Sequence, residues 1–535
     1  MTYIPQFETA ALQATTDSGK VLSVPATSEG HTEVAIHSPT LPFGSVHTEQ
    51  LTPIFQADSV YGINPTIVSA VTGINVAGTT SASNTGVSNK FRCSTGTTAY
   101  SFATMQSRKR LRYRPGQGVI GRFTALFSAP VANSILVAGL GTSESGVFFG
   151  YNGTSFGILH STGGVREVQT LTITTASTAT NNYQVTLAGT SHSITATNNG
   201  STVKTAYEIA TGSYPGWRAE AIGSTVIFLA DSAGNKTGTF SLAQSGAGTP
   251  AAGSYVETNP GVAATDTWIP QASWNGDTMD GNGASGFTLD PSKGNVFQID
   301  IQYLGFGPIL FKIEVPHEGN NPDFVTAHVI NFGNTRTTTN VSNPSFPFTM
   351  AAYSAGSTTD AYVECASFAG FVEGDIKLTG PRMSFNRETN GFVGSTASTY
   401  YPLFTIRNDS VHAHGGNTVR ANQSIVNLIS MSASHDDATP IGFFVIKNAV
   451  LVGTPNFSRF SPSSCIYWDT SATTCTITDN EQLVFVMHTG QGAGGAFAFD
   501  DLITLQPGET LTLAARAVTG TATYVSASLN TREDQ

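Results

Sequence analysis

Polar and apolar residues alternate with a period of two along much of the chain, which is typical of β-strands with one buried and one wet face. Over residues 110–114, arginines alternate with Leu111 and Tyr113, and Pro115 then breaks the pattern. The alternation resumes over residues 119–127. We therefore predict two strands on either side of a tight turn.

The first of these strands carries the most basic face of the chain. The arginines whose spacing places them on that face are Arg108, Arg110, Arg112 and Arg114. We interpret the face as solvated, and an interface with carboxylates of a neighbouring subunit stays open as the alternative.

The next segment, residues 147–159, predicts a β-hairpin. Its apolar flanks enclose Asn152 and Gly153, and an Asn-Gly pair is the strongest short-range hairpin signal. A β-sandwich is therefore expected to begin in this part of the chain.

Residues 167–244 differ from the sequence on either side in their pattern of apolar and polar residues. Three short alternating strands lead into a segment, residues 201–210, whose apolar residues fall at helical spacing, and Ser201 or Thr202 can cap that helix. The apolar stripe consists of Val203, Ala206, Tyr207 and Ala210. Since the sandwich pattern resumes afterwards, we predict a small α/β module inserted into a larger domain.

The remaining alternation predicts a mainly β fold. We expect a jelly-roll, lectin-like sandwich with a small β-rich insertion module containing one helix, followed by a second C-terminal β-sandwich. The predicted divisions are an extended N-terminal arm at 1–45, a jelly-roll-like sandwich at 46–378 interrupted by the insertion at 167–244, a linker at 379–398, and the C-terminal sandwich at 399–535.

Several segments carry a resemblance to known proteins, among them RYRPGQGV, GRFTALF, FFGYNGTSFGIL, SYPGW and DTWIPQASWNGDTMDGNGASG. They resemble a recurring block in virion structural proteins, described as fibre-like, of tailed bacteriophages and large DNA viruses. The resemblance covers most of residues 45 to 375, and the final segment TLTLAARAVTGTATYVSASLNTREDQ looks like the end of similar phage proteins. The resemblance implies a virion component and supplies no catalytic motif.

Composition and charge narrow the function classes. Charged residues make up 11% of the 535 residues, against about 25% in a typical soluble domain. This low charge content fits a protein that works outside cells or inside a large assembly, and it fits an ordinary Thr-rich β-protein equally well. The net charge of −11 argues against a phosphate-binding groove. We therefore expect no nucleic-acid partner.

The cysteines and the N-terminus indicate where the chain is made. Four scattered cysteines are too few for a disulfide framework, and buried free thiols are expected. The first twenty residues lack the pattern of a signal peptide, and no apolar run reaches the length of a membrane span. We expect synthesis in the host cytoplasm without membrane insertion, and a final location in the virion.

The search for chemistry gives weak candidates. A calcium-type loop is suggested by composition but not by spacing; its residues are Asn275, Asp277, Asp280 and Asn282. His412 and His414 are not accompanied by a nucleophile motif. His435 is followed by Asp436 and Asp437, but adjacent residues on a strand point to opposite faces, so these two form no carboxylate pair. The glycine-rich stretch 490–495 matches no phosphate-binding loop. We accordingly assign no catalytic, cofactor-binding or metal-binding residue and expect no cofactor.

Two functions follow from these observations. The first is a non-enzymatic virion structural protein, a multimeric tail fibre, spike or capsid decoration subunit for particle assembly or host attachment. We expect it to bind other virion proteins and to form a homo-oligomer, with a trimer favoured. The four arginines or the N-terminal arm would form the interface between its subunits. The alternative is a carbohydrate-binding adhesin or a tailspike-type glycan-processing protein that binds host-surface glycans, with Tyr151, Trp268 and Trp274 stacking on sugar rings.

Overall fold

The computed structural model confirms a mainly β fold. It describes residues 13–15, 21–23, 51–72, 79–85, 88–197, 199–302, 304–316, 323–374, 380–389, 393–412, 419–436, 438–499, 503–522 and 524–534. In this part of the chain, no helix has the length and apolarity that crossing a bilayer requires.

The predicted N-terminal arm contributes two short strands to the described residues. They are β1 (Gln13–Thr15) and β2 (Val21–Ser23), which pair antiparallel. The rest of the segment 1–45, for which an extended form was predicted, lies outside the described residues.

The first large unit begins with ten strands. They are β3 (Leu51–Asp58), β4 (Val68–Thr72), β5 (Thr79–Thr85), β6 (Ser88–Ser94), β7 (Phe102–Ser107), β8 (Leu111–Arg112), β9 (Val119–Phe127), β10 (Ser134–Gly141), β11 (Gly146–Asn152) and β12 (Ser155–Thr162). Strands β11 and β12 form the predicted hairpin, and Gly153 takes a positive φ of 59° in its turn, a conformation that glycine adopts without steric cost.

The insertion module follows directly. Its elements are β13 (Arg166–Thr175), β14 (Tyr183–Leu187), β15 (Thr190–Ile194), α1 (Thr202–Ala210), β16 (Trp217–Ile222), β17 (Thr225–Ala233), β18 (Ser241–Ala243) and β19 (Ala252–Asn259). Two sheets, in the orders β16-β17-β13-β19 and β15-β14-β18, enclose a small core with α1. Ser201 caps the helix, because its hydroxyl accepts a hydrogen bond from the backbone N–H of Lys204 at 3.3 Å.

The chain then returns to the first unit. The returning strands are β20 (Thr265–Pro270), β21 (Asn295–Ile301), β22 (Ile309–Val315), β23 (Asp323–Ile330), β24 (Ser345–Phe346), β25 (Phe348–Ser354), β26 (Tyr362–Cys365) and β27 (Ser367–Glu373). One sheet has seven strands in the order β20-β12-β11-β10-β25-β7-β4. The facing sheet follows the order β23-β22-β21-β9-β26-β6-β5, with β27 joining β9 to β3.

Aromatic rings from both sheets fill the jelly-roll core. Phe149 of the seven-stranded sheet lies 4.7 Å, centroid to centroid, from Phe297 of the facing sheet. Phe123 and Phe348 meet across the same gap at 5.3 Å. These alternate residues point inward because successive side chains on a strand point to opposite faces.

The C-terminal unit is a second β-sandwich. Its strands are β28 (Arg382–Thr389), β29 (Val393–Gly394), β30 (Tyr401–Asn408), β31 (Val411–His412), β32 (Arg420–Ala421), β33 (Ile425–His435), β34 (Ile441–Lys447), β35 (Val450–Gly453), β36 (Ser458–Arg459), β37 (Ile466–Asp469), β38 (Ala472–Thr476), β39 (Leu483–Thr489), β40 (Gly494–Ala498), β41 (Thr504–Leu505), β42 (Thr510–Ala517), β43 (Thr521–Ala522) and β44 (Val525–Asp534). The two main sheets have the orders β28-β44-β33-β40 and β36-β37-β30-β42-β34-β39.

The predicted linker at 379–398 is wrong for most of its length. Strand β28 lies within it and pairs with the C-terminal strand β44 along its full length. Phe385 of β28 is fully buried in the core of the second sandwich. The residues around it alternate as strand residues do, and Gly380 and Pro381 mark the start of the C-terminal unit.

The insertion is longer than the predicted 167–244. Val165 and Val262 exchange two backbone hydrogen bonds, of 2.8 and 2.9 Å, where the chain leaves the jelly roll and returns to it. Strand β19 pairs with β13 and so belongs to the module, although it follows residue 244.

The position of this bridge predicts how the module can be removed. Replacing residues 166–261 by a short Gly/Ser bridge keeps both bridging valines, so we expect soluble protein with a cooperative thermal melt. Replacing residues 167–244 leaves β19 without its partner β13, and we expect a lower yield of soluble protein. Equal yields from the two deletions, or loss of the cooperative melt in the first, would contradict these boundaries.

Candidate functional site

The predicted basic face is an internal joint between the two large units. Arg110 Nη1 donates a hydrogen bond to Gln423 Oε1 at 2.6 Å, and Arg112 Nη1 donates to the Gln423 carbonyl oxygen at 3.0 Å. Arg114 Nη2 donates to Asp534 Oδ2 at 2.8 Å. We call this contact the arginine joint.

The interpretation of these arginines as a solvated face is therefore wrong for Arg110, Arg112 and Arg114. The period of two was correct, because Leu111 and Tyr113 lie in the jelly-roll core. Burial, and next the charge of Arg166, lower the pKa of Arg110 to about 10, so its guanidinium stays charged at neutral pH. Arg108 is exposed and donates to the Pro65 carbonyl oxygen, outside the joint.

The chain end completes the arginine joint. Adjacent residues on a strand point to opposite faces, and at the end of β44 Glu533 and Asp534 do so. Asp534 reaches Arg114, whereas Glu533 is fully buried and accepts a hydrogen bond from the Cys465 backbone N–H at 3.0 Å. One strand end thus holds its own sandwich together and attaches it to the jelly roll.

A second joint connects the insertion module to the C-terminal sandwich through buried charges. Arg407 of β30 donates to Asp409 Oδ1 from Nε at 2.9 Å and from Nη2 at 2.8 Å. Its Nε also lies 3.8 Å from Glu220 Oε2 of β16. The side chains are 6%, 0% and 7% exposed for Arg407, Asp409 and Glu220, so all three ionisable groups are removed from water. We call this contact the carboxylate joint.

Further hydrogen bonds reinforce the carboxylate joint. The Ser410 backbone N–H donates to Glu220 Oε2 at 2.9 Å, and the Ser410 hydroxyl donates to the other carboxylate oxygen. Arg407 Nη2 also donates to the Ala221 carbonyl oxygen at 3.1 Å. Its guanidinium carbon lies 4.4 Å from the Phe457 ring centre, which adds a cation–π contact.

The two carboxyl groups of this joint have pKa values shifted in opposite directions. Burial, and next the charge of Glu220, raise the pKa of Asp409 well above its usual range. Burial also raises the pKa of Glu220, but Arg407 and the Ser410 donors outweigh it, and the net shift is downward. Asp409 Oδ2 has no hydrogen-bond partner within the described ranges. The geometry is therefore compatible with a protonated Asp409 beside an ionised Glu220.

The turn at residues 506–509 of the C-terminal sandwich receives a third contact from the module. Arg218 Nη1 donates to the Pro507 carbonyl oxygen at 2.7 Å. Gly508 has φ of +88°, and a Cβ added there would lie 2.6 Å from Arg218 Nη1. Glycine therefore meets both the backbone requirement of the turn and the space requirement of the arginine.

The calcium-type loop is ordered by its own backbone. Asp277 is buried, and its carboxylate accepts hydrogen bonds from the N–H groups of Met279 at 2.8 Å and Ser285 at 2.7 Å. Burial raises the pKa of Asp277, but these donors outweigh it and the net shift is downward. Among the described residues no group of three His, Cys, Asp or Glu side chains is placed to hold a metal ion.

The histidine candidates are partly described. His435 is buried, and its Nε2 lies 2.8 Å from the Gly490 carbonyl oxygen, so the ring fixes the glycine-rich turn between β39 and β40. His412 Nδ1 lies 3.4 Å from Arg459 Nη2. His414 and Asp437, which were paired with these histidines in the sequence, lie outside the described residues.

Two of the three aromatic candidates for sugar stacking belong to the core. Tyr151 is 8% exposed and packs 5.1 Å from Phe156, and Trp274 is 4% exposed and packs 6.1 Å from Phe149. Trp268 is half-buried on the outer face of the seven-stranded sheet, against a small apolar cluster that includes Leu159. All four cysteines are buried free thiols, as predicted.

An open cleft lies on the outer face of the other jelly-roll sheet and was not anticipated from the sequence. It encloses about 450 Å³, and its lining includes Asp58, Arg122 and Ser367. Arg122 Nη2 donates to Gln298 Oε1 at 2.6 Å, and its guanidinium carbon lies 4.6 Å from the Phe324 ring centre. The lining residues come from strands β3, β9, β21 and β27, which become neighbours only in the folded sheet, and so no local sequence signal marks the cleft.

Comparison with solved structures gives several distant likenesses, and two of them are described next. A cellulose-induced protein, Cip1, aligns with 10% identity and a TM-score of 0.26 over 59% of this chain and 96% of its own. A legume lectin-like domain from Entamoeba histolytica aligns with 8% identity and a TM-score of 0.24 over 60% of this chain and 98% of its own. Neither score supports a statement about the ligand or activity of this chain. No protein-family model and no curated protein matches it.

The carboxylate joint predicts a pH effect on stability. The folded-state pKa of Asp409 lies above its unfolded value of about 3.9. Its stabilising contribution is therefore present below that value and is lost as pH rises through the folded-state pKa. The substitution Asp409→Asn keeps an oxygen that accepts from Arg407 and removes the ionisation. We expect its melting temperature to fall less than that of the wild type as pH is raised from about 4.

The control for this measurement is Asp266→Asn, because Asp266 is exposed. Thermal melts followed by circular dichroism across the pH range compare the three proteins. The control should follow the wild type. The same pH dependence in Asp409→Asn and in the wild type would show that Asp409 does not carry a raised pKa.

Proposed function

We propose that this chain is a non-enzymatic structural subunit of a virion, a fibre, spike or decoration protein used for particle assembly or host attachment. The observation that carries the proposal is the use of ionic groups to join the units. Arg407, Glu220 and Asp409 form one joint, and Arg114 and Asp534 belong to the other. A subunit that transmits force needs fixed relations between its domains, and these contacts supply them.

The state of the candidate chemical groups supports the non-enzymatic part of the proposal. Asp277 is engaged by backbone N–H groups of its own loop, and His435 by a backbone carbonyl group. Catalytic groups need access to a substrate and a geometry that converges on it. These side chains are buried and serve the loops that carry them.

The composition and the sequence resemblance support a role in a virion. Sheet edges with few charges to protect them gain from being covered, and self-association into a closed oligomer is the common way to cover them. The fibre-like resemblance favours a trimer, together with contacts to other virion proteins. With Arg110, Arg112 and Arg114 committed to the arginine joint, the seam of that oligomer has to lie elsewhere.

The cleft beside Arg122 favours a second candidate function, the binding of a host-surface glycan. Sugar sites combine a few polar groups with an aromatic face, and the cleft offers Arg122, Asp58 and Ser367 near Phe324. We rank it second because the Arg122 guanidinium already lies over that ring and donates to Gln298.

Light scattering on the full-length protein at micromolar concentration tests the structural proposal. We expect a mass of at least two copies of the 55.9 kDa chain, because the charge-poor surface is covered by self-association. A strictly monomeric mass would contradict the self-assembling subunit.

A glycan array separates the second candidate from the first. Binding that is lost in Arg122→Ala and retained in Arg92→Ala, a partly exposed arginine outside the cleft, would favour the adhesin. Cleavage of a host polysaccharide by the purified protein would overturn the non-enzymatic proposal.

A further inference from the structure

Two neighbouring sheet edges of the C-terminal sandwich have no strand beside them in the described part of the chain. Strand β39 ends the six-stranded sheet and pairs with β34, and strand β40 ends the facing sheet and pairs with β33. A short turn over residues 490–493 connects them. We call the pair β39 and β40 the open edge.

The backbone of β40 has groups available for a further strand. The Phe499 N–H donates to the Ile429 carbonyl oxygen at 2.8 Å, and the His435 N–H donates to the Ala493 carbonyl oxygen at 3.2 Å. Residues on an antiparallel strand face their partner alternately. The N–H and C=O groups of Ala496 and Ala498 therefore point away from β33, toward the open side.

Apolar side chains are exposed at the open edge. Phe497 packs 4.5 Å from Phe485 and 5.3 Å from Phe499, centroid to centroid, yet remains 47% exposed. Val486 on β39 is 40% exposed. Burying such surface contributes about 25 cal/mol per Å², so cover by a partner is favourable.

The open edge also lacks the charges that usually protect an edge strand. From Leu483 to Phe499 the sequence contains no Asp, Glu, Lys or Arg. Edge strands β28 and β19 do carry such charges: β28 has Arg382, Arg387 and Glu388, and β19 has Glu257.

We propose that the open edge pairs with the open edge of a second copy of this chain, by antiparallel strand addition about a twofold axis. The net charge of −11 makes two copies repel over much of their surface, and a charge-free edge lets them meet without that repulsion. A strand edge offers donors and acceptors alike, so two identical edges complement each other. This inference rests on the proposed self-assembling function and replaces the expected trimer by a dimer.

The substitution Ala496→Pro tests the pairing directly. It removes an N–H that points off the sheet and keeps the hydrogen bonds between β40 and β33, which is the position where an edge strand tolerates proline. We expect light scattering to give twice 55.9 kDa for the wild type and a twofold lower mass for the variant, with an unchanged cooperative melt.

A second variant and a control show whether a monomeric proline variant reflects loss of the interface or misfolding. Val486→Lys places a charge on the open edge at an exposed position and should also give the monomer. Val256→Lys places the same charge on the edge strand β19, where Val256 is 60% exposed, and should stay dimeric.

The outcomes separate this inference from the proposed function. An oligomer that persists in both Ala496→Pro and Val486→Lys overturns the open edge as the interface and leaves the structural subunit in place. If association is lost on deletion of residues 1–50 but persists in both substitutions, the N-terminal arm is the contact. This outcome also overturns the open edge and leaves the structural subunit in place. A monomeric wild type overturns both.

Discussion

The arrangement of the chain depends on charges that are buried where its units meet. Removing an ion from water costs several kcal/mol, and this cost is offset only when the partner and the surrounding donors are well placed. Arg407 meets the condition with Asp409, with Glu220 of another unit and with the Ala221 carbonyl group. Such a joint tolerates little displacement, because a shifted module would leave an unpaired charge in the interior. We infer that the units keep one relative orientation.

The C-terminal sandwich is the unit to which the other two attach. Its strand β30 and the turn at Pro507 receive the insertion module, and its last strand receives the jelly roll through Asp534. Strand β44 also pairs with β28 and β33, so the end of the chain lies in the middle of a sheet. The sandwich thereby contacts the other units on two sides, and among the described residues no strand pairs with the outer side of β39 or β40.

Local patterns in the sequence predicted the elements well, and the contacts between units poorly. The alternation over 110–114, the Asn-Gly hairpin and the cap at Ser201 depend on residues near one another in sequence, and each was correct. The surface that contacts the arginine face could not be predicted, because a period of two shows which residues share a face but not what packs against that face. Asp534 lies 420 positions from Arg114. The cleft beside Arg122 could not be predicted for the same reason, since the strands that line it are distant in sequence.

Differential scanning calorimetry of the full-length protein tests most directly whether the buried ionic joints make the three units one cooperative structure. If they do, the chain unfolds in a single transition whose calorimetric and van't Hoff enthalpies agree. Two or more separate transitions, with the C-terminal sandwich melting independently of the jelly roll, would contradict this role of the joints.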